Sequence, residues 1–348
     1  MNAFPLSSFT LGLAIIGGLL LAALIAWNAW TSRRNTPRQA QPPAPVPAGA
    51  AGGAGERNEP VFDTDPVPLP LPEKKPGLDA LIDVIAPIVL EAPPVSGEAA
   101  LAAMPTTRRA GSKPFAIEGL NEASGHWELP HAGQRYSAFQ AGVQLANRTG
   151  ALNEIEYSEF VMKAQAFADA INGSPEFPEM LHEVARAREL DQFAGDHDAQ
   201  LGFTLRARNA AWSPGYVQQN AARLGFVSGV IPGRMVLPAQ AQGMPPVLGL
   251  TFDTQAALAE DPALSAIRDL TLSLDVPQVD RSERPFVRMR ECAIALATAM
   301  DGMLIDDNGQ VIRPESLDGI GADLEQLYDT LDGRDLSAGS VLARRLFS

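Results

Sequence analysis

Residues 6–30, LSSFTLGLAIIGGLLLAALIAWNAW, carry no charged side chain. A helix needs roughly 20 apolar residues to cross a bilayer core, because its backbone polar groups must bond internally there. Trp27 and Trp30 end the run as interfacial aromatics do, and Arg33, Arg34 and Arg38 follow. Basic flanks stay in the cytoplasm, so the run predicts a transmembrane helix with its N-terminus outside and the body of the protein cytoplasmic. A cleaved signal peptide would put its charges before a shorter apolar core. Here the charges lie on the other side.

Residues 31–112 are rich in proline, alanine and glycine, as in QPPAPVPAGAAGGAGE and DTDPVPLPLPEKKP. Few aromatics and many prolines predict a disordered tether. One stretch departs from that pattern. In GLDALIDVIAPIVLEAP, Leu78, Leu81, Ile82, Ile85 and Val89 fall on a helical stripe, interrupted by Pro87. Two readings stay open: a small helix docked on its own globular region, or a short linear motif for another protein.

Globular patterning starts near Phe115. Period-two alternation predicts strands at 136–146, 200–208, 247–254 and 266–276, with shorter ones at 127–129, 229–231 and 234–237. Three- and four-residue spacing predicts helices from Glu154, Glu179, Ser213, Pro285 and Pro314. Asn172-Gly173 and Gly302 end two of these helices, and Asp307-Asn308-Gly309 suits a hairpin turn. A faint repeat joins the two halves. Tyr157 to Gly173 and Phe286 to Gly302 have equal spacing, with Phe160 matching Met289 and Ala164 matching Ala293. The strand before the first helix, YSAFQAGVQLA, is matched with VLGLTFDT. The fold class expected is α+β: a mostly antiparallel sheet with helices on one face, preceded by the transmembrane helix and the disordered linker. The expected divisions are 6–30, 31–112, an upstream module at 113–198 and a C-terminal domain at 199–348.

Chemistry is sparse. A net charge of −14 disfavours nucleic acid. The lone cysteine, Cys292, lies among alanines in a helix pattern and reads as a small core residue. His182-Glu183 lacks the second histidine of a zinc helix, and His197 sits in a polar junction. Asp306-Asp307-Asn308-Gly309 places its glycine too early for a calcium loop. No catalytic constellation, metal site or cofactor site is expected.

The pieces AARLGFVSGV, PPVLGLTFDT and the long stretch LTLSLDVPQVDRSERPFVRMRECAIALATAMDGMLIDDNGQVIRPESLDGIGADLEQLYDTL resemble the FtsZ-binding domain of the ZipA family of bacterial division proteins. The resemblance covers about residues 199–333. It rests on order: a strand ending Val276-Pro277, a helix ending Asp301-Gly302, a Leu-Ile-Asp-Asp hairpin, then Pro314 and a last helix. It implies a non-enzymatic anchor of the division ring that binds the C-terminal tail of FtsZ on an open sheet face and tethers filaments to the inner membrane. The implied location is the inner membrane at the division septum, single-pass, with a periplasmic N-terminus. The resemblance also implies other division proteins as candidate partners. Carried over strand by strand, the tail-binding positions are Gly202, Thr204, Ile231, Gly233, Leu250, Phe252, Thr271 and Ser273. Gly233, Thr271 and Ser273 depart from the family's larger apolar groups. The competing function is a membrane-tethered scaffold that binds another protein through Leu78–Leu90.

Overall fold

A computed structural model describes residues 37–40, 77–92, 94–241, 243–259, 261, 264–306 and 308–348. The fold is α+β, with antiparallel sheets and packed helices. The expected transmembrane helix at 6–30 lies outside the described residues. Among the described residues no helix is long and apolar enough to cross a membrane. The expected fold and single-pass location are corrected to that extent: the described residues form antiparallel sheets and packed helices and contain no membrane-crossing helix.

The expected tether is corrected as well. Residues 31–36 and 41–76 lie outside the described residues, but residues 77–112 belong to a folded unit. Its first strand, β1 (Asp83–Leu90), is the segment expected to be a helix or a linear motif. Ile82, Val84, Ala86, Ile88 and Leu90 are buried at two-residue steps, so period two won over the helical stripe. Pro87 is tolerated because its carbonyl accepts from Glu176 just past a short neighbouring strand. Its missing N–H therefore faces the side where that ladder stops. A strand buried between two neighbours is not available as a linear motif.

The first unit continues with α1 (Gly97–Ala103), β2 (Lys113–Asn121), β3 (Arg135–Gln144), α2 (Glu154–Ala170), β4 (Gly173–Pro175) and α3 (Met180–His197). Its main strands lie in the order β2-β3-β1-β4, all antiparallel. The second unit runs β5 (Gln200–Ala207), α4 (Pro214–Ala222), β6 (Val227–Ser228), β7 (Arg234–Leu237), β8 (Leu248–Phe252), β9 (Asp269–Asp275), α5 (Pro285–Met300), β10 (Gly302–Ile305), α6 (Pro314–Asp332) and α7 (Val341–Leu346). Its order is β6-β7-β8-β9-β5-β10. Strip off β6 and β7, and the two units share one topology: β8-β9-β5-β10 repeats β2-β3-β1-β4.

The register repeats too. Leu90 faces Gly173, and Ala207 faces Gly302. Ile88 faces Phe139, and Leu205 faces Leu270. Each main helix ends on a left-handed residue, Asn172 (φ 53°) or Asp301 (φ 55°), followed by a glycine that opens a strand. A Cβ on Gly173 would lie 2.8 Å from Ile88, and one on Gly302 would lie 2.9 Å from Leu205, its structural equivalent. Both glycines are there for the same close approach. The repeat read from sequence is therefore real in its helices but off by one strand: YSAFQAGVQLA matches LTLSLDV, not VLGLTFDT.

Helices cover one face of each sheet. In the first unit Phe139 packs on Phe167 with ring centroids 5.3 Å apart, and Phe115 on Phe160 at 6.1 Å. In the second the equivalent helix positions are Met289 and Leu296, buried with Phe203, Leu250 and Leu272. The units exchange arginines. Arg148 of the first binds Asp275 at 2.7 Å and Asp198 at 2.6 Å. Arg345 of the second reaches the buried Asp83 at 2.5 Å. Helix α7 seats this arginine, with Gln144 donating to the Arg345 carbonyl and Gln278 to that of Phe347.

Candidate functional site

The face of the second sheet turned away from its helices is the candidate site. Pairing across strands gives two rows. One is Gly202–Ser273–Gly249–Val236–Val227. The other is Thr204–Thr271–Thr251–Arg234. Their core-facing neighbours, Phe203, Leu205, Leu272, Leu250 and Met235, are buried. The first row begins in small residues and ends in two valines, so it forms a shallow trough with an apolar end. Val227 and Val230 are exposed there. Past the second row, Arg206 and Asp269 pair at 2.7 Å on exposed side chains.

Of the expected site residues, Gly202, Thr204, Thr271 and Ser273 stand on this face together. Leu250 and Phe252 do not: they are 0% and 7% exposed and lie in the core. The register of β8 is one residue away from that expected, which moves every side chain to the other face. Gly249 and Thr251 occupy the open positions instead. Ile231 and Gly233 lie in the turn between β6 and β7. Ile231 is 53% exposed at the rim of the trough. Gly233 has φ 79°, and a Cβ there would meet the Phe252 carbonyl at 2.7 Å, so it shapes the turn and offers no side chain to a partner.

Sequence reasoning missed Gly249, Thr251, Val236 and Val227. A signal for the first two was present. Gly202-Phe203-Thr204 and Gly249-Leu250-Thr251 have the same form, with one large residue between two small ones. Read as parallel patterns, they put both glycines and both threonines on one face.

The first unit shows what such a face can hold. Its equivalent row is Ile85–Gly142–Ala116. Here the row is covered. Leu78 lies on Gly142, so close that a Cβ there would sit 2.4 Å from its side chain. The Leu78 N–H donates to Glu118 Oε1 at 3.1 Å, and Gln140 holds the other carboxylate oxygen at 2.9 Å. Beside this contact a cavity of about 230 Å³ is lined by Leu78, Met104, Pro105, Ala116 and Leu129.

The chemistry of the open face is that of contact. Its rows carry hydroxyls, glycines, valines and Arg234. Cys292 lies elsewhere, buried, with its thiol pushed up by burial, away from the thiolate form a nucleophile needs. Among the described residues no group of three or more His, Cys, Asp or Glu side chains could hold a metal ion. No protein-family model matches the chain, and no curated protein matches it either.

Proposed function

We propose that the second unit is a non-enzymatic peptide receptor of the ZipA type, holding the C-terminal tail of FtsZ across the Gly202–Ser273–Gly249 trough in the division ring. One observation carries the reading. The equivalent row in the first unit is covered by the segment of the chain that leads into β1, whose leucine fills a glycine notch. The second unit's row is smaller still, and among the described residues none is seated on it in that way. A partner peptide that lays a large apolar side chain there, with others toward Val236, Val227 and Ile231, buries apolar area at about 25 cal/mol per Å². The order of elements along residues 199–333, which resembles the ZipA family, supports the choice of partner.

The test is a fluorescence polarization titration of a labelled FtsZ tail peptide with the full chain. Binding in the micromolar range is expected. Gly202 is an ordinary strand position whose added Cβ would meet only Thr271, at 4.0 Å. Gly202→Leu should therefore fold normally yet fill the trough, weakening binding by about tenfold or more, roughly 1.4 kcal/mol. No binding by the parent chain at high micromolar concentration would reject FtsZ as the partner. Equal binding by Gly202→Leu would reject the trough.

A further inference from the structure

Residues 37–40 dock on parts of the second unit that are distant from them in sequence. The Arg38 N–H donates to the Ala211 carbonyl at 2.7 Å, and the Ser213 N–H donates to the Arg38 carbonyl at 2.9 Å. This is a parallel bridge to Trp212, which on its other side pairs with Ile267. Trp212 is fully buried and donates from its indole to the Met300 carbonyl at 2.8 Å. The Arg38 guanidinium lies 2.9 Å from Asp301 and also reaches the Met300 carbonyl. These acceptors crown the C-terminus of α5, where the helix dipole favours a cation. The structure thus assembles a slot with three parts: a strand edge with a free carbonyl and N–H, a helix end, and a carboxylate.

We infer that the Ala211–Ser213 edge, with Met300 and Asp301, is a recognition slot for an extended arginine-bearing segment, and that Pro37–Ala40 of the same chain occupies it as a releasable latch. The matching position in the first unit argues that the charge is specific to this slot. There the helix ends on the neutral Asn172, and the backbone bond is otherwise the same: Glu91 donates to the Asn172 carbonyl as Arg208 donates to that of Asp301. Only the second unit has a carboxylate at this turn. Two backbone bonds and a half-exposed ion pair make a weak site, one that a free peptide would fill only at high concentration. Covalent connection supplies the segment at an effective concentration on the order of millimolar. Residues 41–76, which join the latch to Gly77, can span at most roughly 120 Å, so closure within one chain is sterically open. A site this weak, filled by connection, is poised to open when a competitor or salt weakens the ion pair.

Amide exchange of Ser213 in the full chain, followed by NMR, tests the latch. Arg38→Ala and Asp301→Asn should each speed that exchange by about tenfold or more. The second change installs the residue that the first unit already uses at this turn. The Ile267 amide, bonded to the Trp212 carbonyl, should stay protected in both variants and so reports an intact fold. A synthetic peptide of residues 35–42 should restore Ser213 protection in Arg38→Ala and fail to do so in Asp301→Asn. Salt of about 0.5 M should speed Ser213 exchange in the parent chain. Equal exchange in the parent and Arg38→Ala would overturn the latch. Protection that falls on dilution would overturn the same-chain assignment, because the segment would then come from a second copy.

Discussion

The first unit covers its bare sheet face with its own Leu78, while the matching row of Gly202, Ser273 and Gly249 in the second carries no such cover among the described residues. Their strand order and register are the same, so topology does not decide which face is open. What differs is the approach of the chain. Gly77 to Ala80 enters the first unit across its face, whereas the second unit follows directly from α3 through Ala199. The equivalent helix positions differ as well: Phe160 and Phe167 in the first, Met289 and Leu296 in the second. One fold thus tolerates two kinds of filling, provided volume and pattern are kept.

The strongest way to break the comparison is through the arginines. Asp83 is buried, and burial raises its carboxyl above the usual range while Arg345 pulls the other way. Arg345→Ala leaves that group buried and unpaired, which should cost about 3–5 kcal/mol in urea unfolding. The pH dependence has a definite sign. With its folded pKa raised, Asp83 is protonated in the native state at pH values where the unfolded chain has lost the proton. Its contribution to stability is full below the unfolded value, about 4, and is lost as pH rises through the folded one. The deficit of Arg345→Ala should therefore shrink as pH falls toward 4. A deficit that is small and flat with pH would mean that α7 merely rests on the first unit.

The equivalent glycines sharpen the duplication. Gly173→Ala and Gly302→Ala should each cost roughly 1–3 kcal/mol by forcing Ile88 or Leu205 aside. The two costs should agree within about 1 kcal/mol and add within about 0.5 kcal/mol in the double variant. If one substitution is neutral, the shared close approach is not a shared constraint. Smallest of all is the contrast between the faces. Gly142→Ala must move Leu78, costing about 1 kcal/mol and exposing the Leu78 amide to exchange. Gly202→Ala meets open space and should change stability by less than about 0.5 kcal/mol. Equal effects at both positions would mean that the first face is no more covered than the second.

Much of this fold could be read from the chain. The helix from Pro285 to Met300, its left-handed end and the strands around Phe203 and Leu272 follow from spacing and from turn chemistry. Leu78–Leu90 was harder, because Ile82 serves a helical stripe and an alternating strand equally well, and only partners β3 and β4 decide between them. Proline content stretched the expected tether too far, since Pro87, Pro94 and Pro105 lie in folded structure. The face of β8 was missed by one residue. Val247 and Leu248 are both apolar, so alternation could be counted from either. The docking of Arg38 left no trace in the sequence, because its four residues form no pattern until Asp301 is brought beside them.

The reciprocal arginines also bear on the order in which the protein is made. Asp83 is synthesised more than 250 residues before its partner, the two being separated by 262 positions. Domains generally complete themselves as the ribosome advances. This first unit does so without one of its contacts: Asp83 gains the counter-charge of Arg345 only after residue 345 has left the exit tunnel. Full pairing of the amino-terminal half is thereby tied to delivery of the carboxy-terminal half. A chain interrupted between them exposes an unfinished charge that quality control could detect.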